Sequence, residues 1–176
     1  MKSPALLASP PPTASAQAAN VVTPCVADQN VGTPQDPVEP GSHIPVGTQG
    51  HWLHDPPSSG QHWSQVPPWG VLEESRTAQG DVLVPEWYVS SLEHGGIAVL
   101  YRDPAGKPAV VSFIHAAPVE PTAGAPKLGD VPYPKLGRPF ALVAWGWLLY
   151  VDSLDDPLAL RFYLAHVDHG PQGGCP

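Results

Sequence analysis

Three histidines, His51, His54 and His62, fall within twelve residues beside Asp55, in a stretch too polar to be core. Neutral imidazole is the commonest metal ligand near neutral pH, and imidazoles clustered with a carboxylate suit Cu(II) or Zn. The absence of neighbouring cysteine, and a single methionine at Met1, argue against a soft Cu(I) site. A second constellation is Glu93-His94-Gly95-Gly96, an acid and an imidazole read here as the entrance to a strand, where paired glycines permit close approach. If these two segments meet, they supply a metal centre, or a base with its orienting acid. His166 and His169 fall in the last turn of a C-terminal helix, where protonated imidazole complements the helix dipole. His115, closing a strand, and His43, preceding the loop, read as structural.

Catalytic signatures do not accompany the histidines. The chain has no Gly-x-Ser-x-Gly, His-Glu-x-x-His, phosphate-binding loop, dinucleotide fingerprint or Cys-x-x-Cys. Ser58 and Ser59 lie in Pro56-Pro57-Ser58-Ser59-Gly60, which is first of all a turn. No catalytic residue and no organic cofactor is assigned.

The elements that must hold these residues follow from composition and pattern. With 25 prolines and 17 glycines in 176 residues, short strands and turns are expected rather than long helices. Sixteen acidic against eight basic residues give a net charge of −8, which excludes the electrostatic footprint of a nucleic-acid binder and favours a cationic partner. The longest nearly apolar run, Phe140 to Val151, is too short to cross a bilayer, which takes about 20 residues.

Residues 1–41 read as a disordered Pro/Ala-rich arm. Lys2 and Ala5-Leu6-Leu7-Ala8 outline a weak export signal or a plain linker. Residues 42–176 form one globular domain. Within it, Ser42 to Trp69 reads as an ordered loop region rich in Trp, His and Pro, anchored by Trp52, Trp63 and Trp69. Asp81–Pro85, Ile97–Arg102 and Ala109–His115 read as strands, the last two paired through Asp103–Pro108. Phe140–Tyr150 reads as one central strand. Asp155-Asp156-Pro157 opens a helix with Leu158, Phe162 and Ala165 on its inner face and Leu154 stapling it. The expected class is α+β, a small, mostly antiparallel sheet with a C-terminal amphipathic helix. Cys25 and Cys175 either bridge the ends of the domain, implying an oxidising compartment, or are two unrelated thiols.

Three segments resemble the DUF3105 family of bacterial and archaeal proteins of unknown function. They are His51 to His62, with Pro56-Pro57-Ser58-Ser59-Gly60-Gln61-His62; Leu92 to Tyr101, with Leu92-Glu93-His94-Gly95-Gly96; and Ala144-Trp145-Gly146. The resemblance marks Pro56, Pro57, Gly60, His62, Glu93, His94, Gly95, Trp145 and Gly146 as family-pattern positions. Ser90 and Ser91 stand where the family often has a further polar residue and a histidine, and His54 falls where its pattern varies. It implies an exported or membrane-anchored context, hence a secreted or cell-envelope location.

The expectation for function is therefore an extracytoplasmic domain that binds copper or zinc through His62 and His94, helped by His51 and Glu93. The alternatives are a hydrolase-type enzyme with Glu93 and His94 as acid/base pair, and a non-catalytic envelope interaction module.

Overall fold

The computed structural model of the protein describes residues 20–25, 27–72 and 82–175. Among them, β1 (Thr33–Pro34), β4 (Ile97–Tyr101), β5 (Leu128–Pro132), β6 (Phe140–Ala144) and β7 (Trp147–Val151) form a five-stranded sheet in the order β1-β7-β6-β4-β5. The pairs β1–β7, β7–β6 and β6–β4 are antiparallel and β4–β5 is parallel. A small separate sheet joins β2 (Ser42–Ile44) to β3 (Gln61–Trp63). With the helices α1 (Pro85–Glu93), α2 (Lys107–Ala116) and α3 (Pro157–His166), the fold is α+β, as its composition implies.

The sheet is covered on both faces. Ile97, Val99 and Tyr101 of β4, with Phe140 and Leu142 of β6, pack on Val110 and Ile114 of α2 and on Ala159, Phe162 and Tyr163 of α3. The alternate residues Ala98, Leu100, Ala141 and Val143 pack on Trp87, Tyr88 and Leu92 of α1. Successive strand side chains point to opposite faces, so a two-sided sheet needs apolar residues on both sets. That requirement explains the unbroken apolar sequence from Phe140 onward.

Several expectations need correction. Phe140–Tyr150 is two strands of a hairpin, because Trp145-Gly146 turns the chain with Gly146 at φ +72°, a left-handed conformation natural only to glycine. Ala109–His115 lies within α2. Pro108 stands in that helix's first turn, and Val110 and Ile114, four residues apart, carry its buried face. The expected hairpin from β4 therefore does not form, and β4 instead pairs with β5 and β6. Residues 82–84 are not strand, and Pro85 begins α1. In α3 the Asp156 side chain accepts from the Leu158 backbone N–H at 2.9 Å, the expected cap. The inner face is Ala159, Phe162, Tyr163, Ala165 and His166, while Leu158 is exposed.

The arm is only partly an arm. Residues 1–19, with the export-signal reading, lie outside the described residues. Beyond them Thr33–Pro34 is an edge strand, where proline's missing N–H does little harm, and Val22 and Val31 are buried in the core. Cys25 and Cys175 form a disulfide with Cα atoms 5.3 Å apart, closing a separation of 150 residues.

Candidate functional site

The site is built where the small parallel sheet meets the C-terminal end of α1. The β2–β3 pairing sets His43 opposite His62, and in-register residues of a parallel pair project to the same side. Their rings meet edge to face, centroids 4.9 Å apart. His62 is 0% exposed. Its Nδ1 lies 2.9 Å from the Gly60 carbonyl oxygen, which only accepts, so Nδ1 carries a proton and donates it there. Gly60 is at φ +99°, a conformation that suits glycine in this tight loop. Trp145 stands edge-on to the same imidazole, centroids 6.4 Å apart.

Glu93, 6% exposed, is the last residue of α1. Its Oε2 lies 3.0 Å from His62 Nε2 and 3.9 Å from His43 Nε2. The helix stops there for a definable reason. The Gly95 N–H donates to the Leu92 carbonyl and the Gly96 N–H to the Ser91 carbonyl, the paired bonds of a Schellman stop, with Gly95 at φ +79°. Glu93-His94-Gly95-Gly96 is thus a helix end immediately before β4 rather than a bulged strand entrance. A carboxylate at a helix C-terminus faces the negative end of the dipole, so Glu93 calls for positive charge nearby.

Ligating atoms of His43, His62 and Glu93 lie within 4.8 Å of one another, and neither His51 nor His94 belongs to that group. Two of the expected residues, His62 and Glu93, are brought together. His94 instead donates from Nδ1 to the Ser90 carbonyl of its own helix at 3.0 Å. His51 is exposed and uses its backbone N–H on Gln61 Oε1. His54 donates from Nε2 to the Pro37 carbonyl. His43 is the residue that sequence reasoning missed. Its place beside the buried His62 becomes visible only through the β2–β3 register. The side chain of His43 is 55% exposed, so the cluster opens to solvent on that side.

The histidine loop is stitched from every direction. Trp52 Nε1 donates to the Gln61 carbonyl, Trp63 Nε1 to the Thr48 carbonyl, and the Gly146 N–H to the Ser58 carbonyl. Tyr88 of α1 donates its hydroxyl proton to the Pro57 carbonyl at 2.8 Å. Burial holds the Tyr88 phenol well above its ordinary range, so it stays a donor. Ser59 Oγ accepts from the Glu39 N–H, and Ser58 and Ser59 are both buried, which fits a turn and not a nucleophile. His166 departs from its expected role. It is buried and donates from Nε2 to the Val31 carbonyl, and burial pulls its pKa down to about 4, so it is a neutral core residue.

The family described as a protein of unknown function, DUF3105, matches residues 43–176, which include all three clustered residues. The chain belongs to the DUF3105 family. No curated protein and no solved structure matches the chain. In this DUF3105 protein the family-like segments share a physical task. Pro56 to His62 forms the loop that carries one imidazole, Leu92 to Gly96 ends the helix that carries the carboxylate, and Trp145-Gly146 buttresses the loop.

Proposed function

We propose that this DUF3105 protein binds a transition metal, Cu(II) or Zn(II), outside the cytoplasm, through His62 Nε2, the Glu93 carboxylate and His43 Nε2. One observation carries the reading. His62 Nε2 is buried without a hydrogen-bond partner, although Glu93 Oε2 is 3.0 Å away, because the two are not aligned to bond. With Nδ1 donating to Gly60, Nε2 is the ring atom turned to the carboxylate, and when that nitrogen carries no proton its lone pair and the carboxylate oxygen are two donor atoms disposed for one cation. Ligating histidines commonly donate their other ring nitrogen to a backbone carbonyl, as this one does. Zn–N and Zn–O distances near 2 Å place neighbouring ligand atoms roughly 3–3.4 Å apart, so the His62–Glu93 spacing fits and the exposed His43 ring, 3.9 Å from Glu93 Oε2, needs to move inward.

The set leaves a coordination position for water or an exogenous ligand on the open side. Two imidazoles and a carboxylate suit Zn(II) and Cu(II) better than a soft ion. The Cys25–Cys175 bridge supports placement in an oxidising compartment, where such bonds persist. Among the described residues no helix is long and apolar enough to cross a membrane. The acid/base reading of Glu93 with His94 has less support. His94 is turned onto Ser90, and none of four clefts of about 380–700 Å3 is lined by Glu93 or His62.

The test is metal analysis of protein purified without an affinity tag, then titration of the apo form with Cu(II) and Zn(II). Stoichiometric binding that is lost in His62→Ala and in Glu93→Gln is the expected result. Absence of binding above background in the wild type, with the variants merely less stable, overturns the proposal and leaves a buried ion pair.

A further inference from the structure

The stretch 168–175 runs directly beneath the C-terminal end of α1. The Asp168 N–H donates to the Gly95 carbonyl, and the Gln172 N–H to the Glu93 carbonyl at 2.8 Å. A Cβ on Gly170 would stand 2.3 Å from the Glu93 carbonyl oxygen, so the two backbones are in contact there. From this close approach the Gln172 side chain reaches the site itself, and its Nε2 donates to Glu93 Oε2 at 3.0 Å. That is the same oxygen that faces His62 and His43. On the opposite side Gly41 comes against Glu93 Oε1, where a Cβ would stand only 2.2 Å away. Gln172 is itself exposed, so this bond is not enforced by burial of its own side chain.

A covalent tie adds to these backbone bonds. The stretch contains no strand or helix, and Cys175 ends its described part, tied covalently to Cys25 and donating its N–H to the Asp168 carbonyl at 2.9 Å. Cys25 is exposed, so the bridge is open to attack by a thiolate.

We propose that Gln172 is the positioning residue of the His43–His62–Glu93 centre, and that the Cys25–Cys175 bridge keeps it in place, so that metal affinity is coupled to the redox state of this disulfide. The inference rests on the metal-binding reading above. Gln172 helps fix the carboxylate with Oε2 toward the two imidazoles, and without it that oxygen loses its one side-chain amide donor. Outer hydrogen-bond partners of this kind typically change metal affinity by about 10–100-fold. The redox step is ordinary exchange with a dithiol reductant. One thiolate attacks a sulfur of the bridge and forms a mixed disulfide, and the second thiol resolves it. Cys25 and Cys175 leave as two thiols and the reductant as its own disulfide, a transfer of two electrons and two protons.

The experiment uses the full chain with the bridge intact, in wild type, Gln172→Met, Cys25→Ser/Cys175→Ser and the triple variant. Cu(II) and Zn(II) salts are titrated in competition with a chelator, and the Cu(II) forms are examined by electron paramagnetic resonance. Gln172→Met should bind about 10-fold more weakly and shift the copper hyperfine splitting, with folding unchanged by circular dichroism. The cysteine variant should lose a similar factor, and the triple variant no more than either. Wild-type binding with Gln172→Met within twofold of it and an unchanged spectrum overturns the inference while the metal reading stands. Full affinity in the cysteine variant overturns the redox coupling. If that variant does not fold, the wild type reduced by a dithiol and thiol-blocked under native conditions replaces it, with the same outcomes decisive. No binding in the wild type overturns the metal reading and this inference together.

Discussion

His43 and His62 are register partners across the parallel β2–β3 pair, yet one is exposed and the other completely buried. On the proposed metal reading, that asymmetry separates binding from folding. His62 has a loop and a helix packed round it, whereas His43 stands at the exposed rim of the cluster.

Substituting the two should therefore give different signatures. His43→Ala is expected to weaken Cu(II) or Zn(II) binding at least 10-fold with stability within about 0.5 kcal/mol of wild type, as for exposed substitutions generally. His62→Ala should abolish binding and also cost about 2–3 kcal/mol, through the cavity and the lost bond to Gly60. Calorimetric titration with urea denaturation checks both. Equal destabilisation by the two would contradict the asymmetry, while His51→Ala and His94→Ala should keep full stoichiometry.

Gly41 should behave as a site residue despite having no side chain. Its added Cβ would stand 2.2 Å from Glu93 Oε1, so Gly41→Ala must turn the carboxylate, which is the movable partner. Metal binding should fall at least several-fold, with a stability change below about 1 kcal/mol because Gly41 is exposed and outside any helix. Unchanged affinity in a competition titration would show that the Glu93 carboxylate need not hold its observed orientation.

At Gly95 the expected loss is of the fold. The residue sits at φ +79°, and a Cβ would stand 2.4 Å from the Asp168 Cα, a backbone atom. Gly95→Ala should cost about 2 kcal/mol or more, combining left-handed strain with separation of α1 from the 168–175 stretch. Gly137→Ala, where nothing lies within 4 Å, is the control and should be close to neutral. Chemical denaturation of both reads the difference.

Acid should unfold the protein partly through His166. Burial, with a contribution from His169, lowers its folded-state pKa from 6.5 to about 4. Between those values the unfolded chain takes up the proton and the folded one does not, so stability falls as pH drops through 6.5 toward 4. Above pH 6.5 both states are neutral and this residue adds no slope. The loss amounts to about 3 kcal/mol at the acid end. His169, shifted the same way by burial, adds to it. His166→Leu should flatten most of the slope in denaturation series at pH 4, 5, 6 and 7, and an undiminished slope would assign it to other groups.

How much of this was legible in the chain depends on the range of each signal. The cap at Asp156 and the β4 strand are local, and their residues announced a helix start and an apolar run, whereas the glycines after Glu93 signalled a break before β4 but not that a helix ends there. The α+β class and the bridge between Cys25 and Cys175 were likewise within reach. Other features are decided by neighbours. Ala109–His115 has the β-branched residues of a strand, but the slots beside β4 are filled by β5 and β6, and the segment lies on the sheet as α2. Helix α1 shows no amphipathic period because residues from Glu86 to Glu93 are all buried. β5 was hidden by Gly129, Asp130 and Pro132, residues that ordinarily argue against a strand. In the site, His62 and Glu93 stood out by their motifs. His43 did not, since its importance lies in a two-strand register with His62, nineteen residues away in sequence. His94 drew attention by standing next to Glu93, but adjacent residues near a helix end diverge by about 100°.

The covalent closure between Cys25 and Cys175 also sets an order of events in synthesis. Cys25 precedes, and Cys175 follows, every strand of the main sheet and all of α1, α2 and α3. A nascent chain leaves the ribosome N-terminus first, so Cys25 waits as a thiol until the whole sheet has emerged. A correctly oxidised molecule is thus one whose synthesis has passed Cys175, and chains broken off earlier carry Cys25 without its mate.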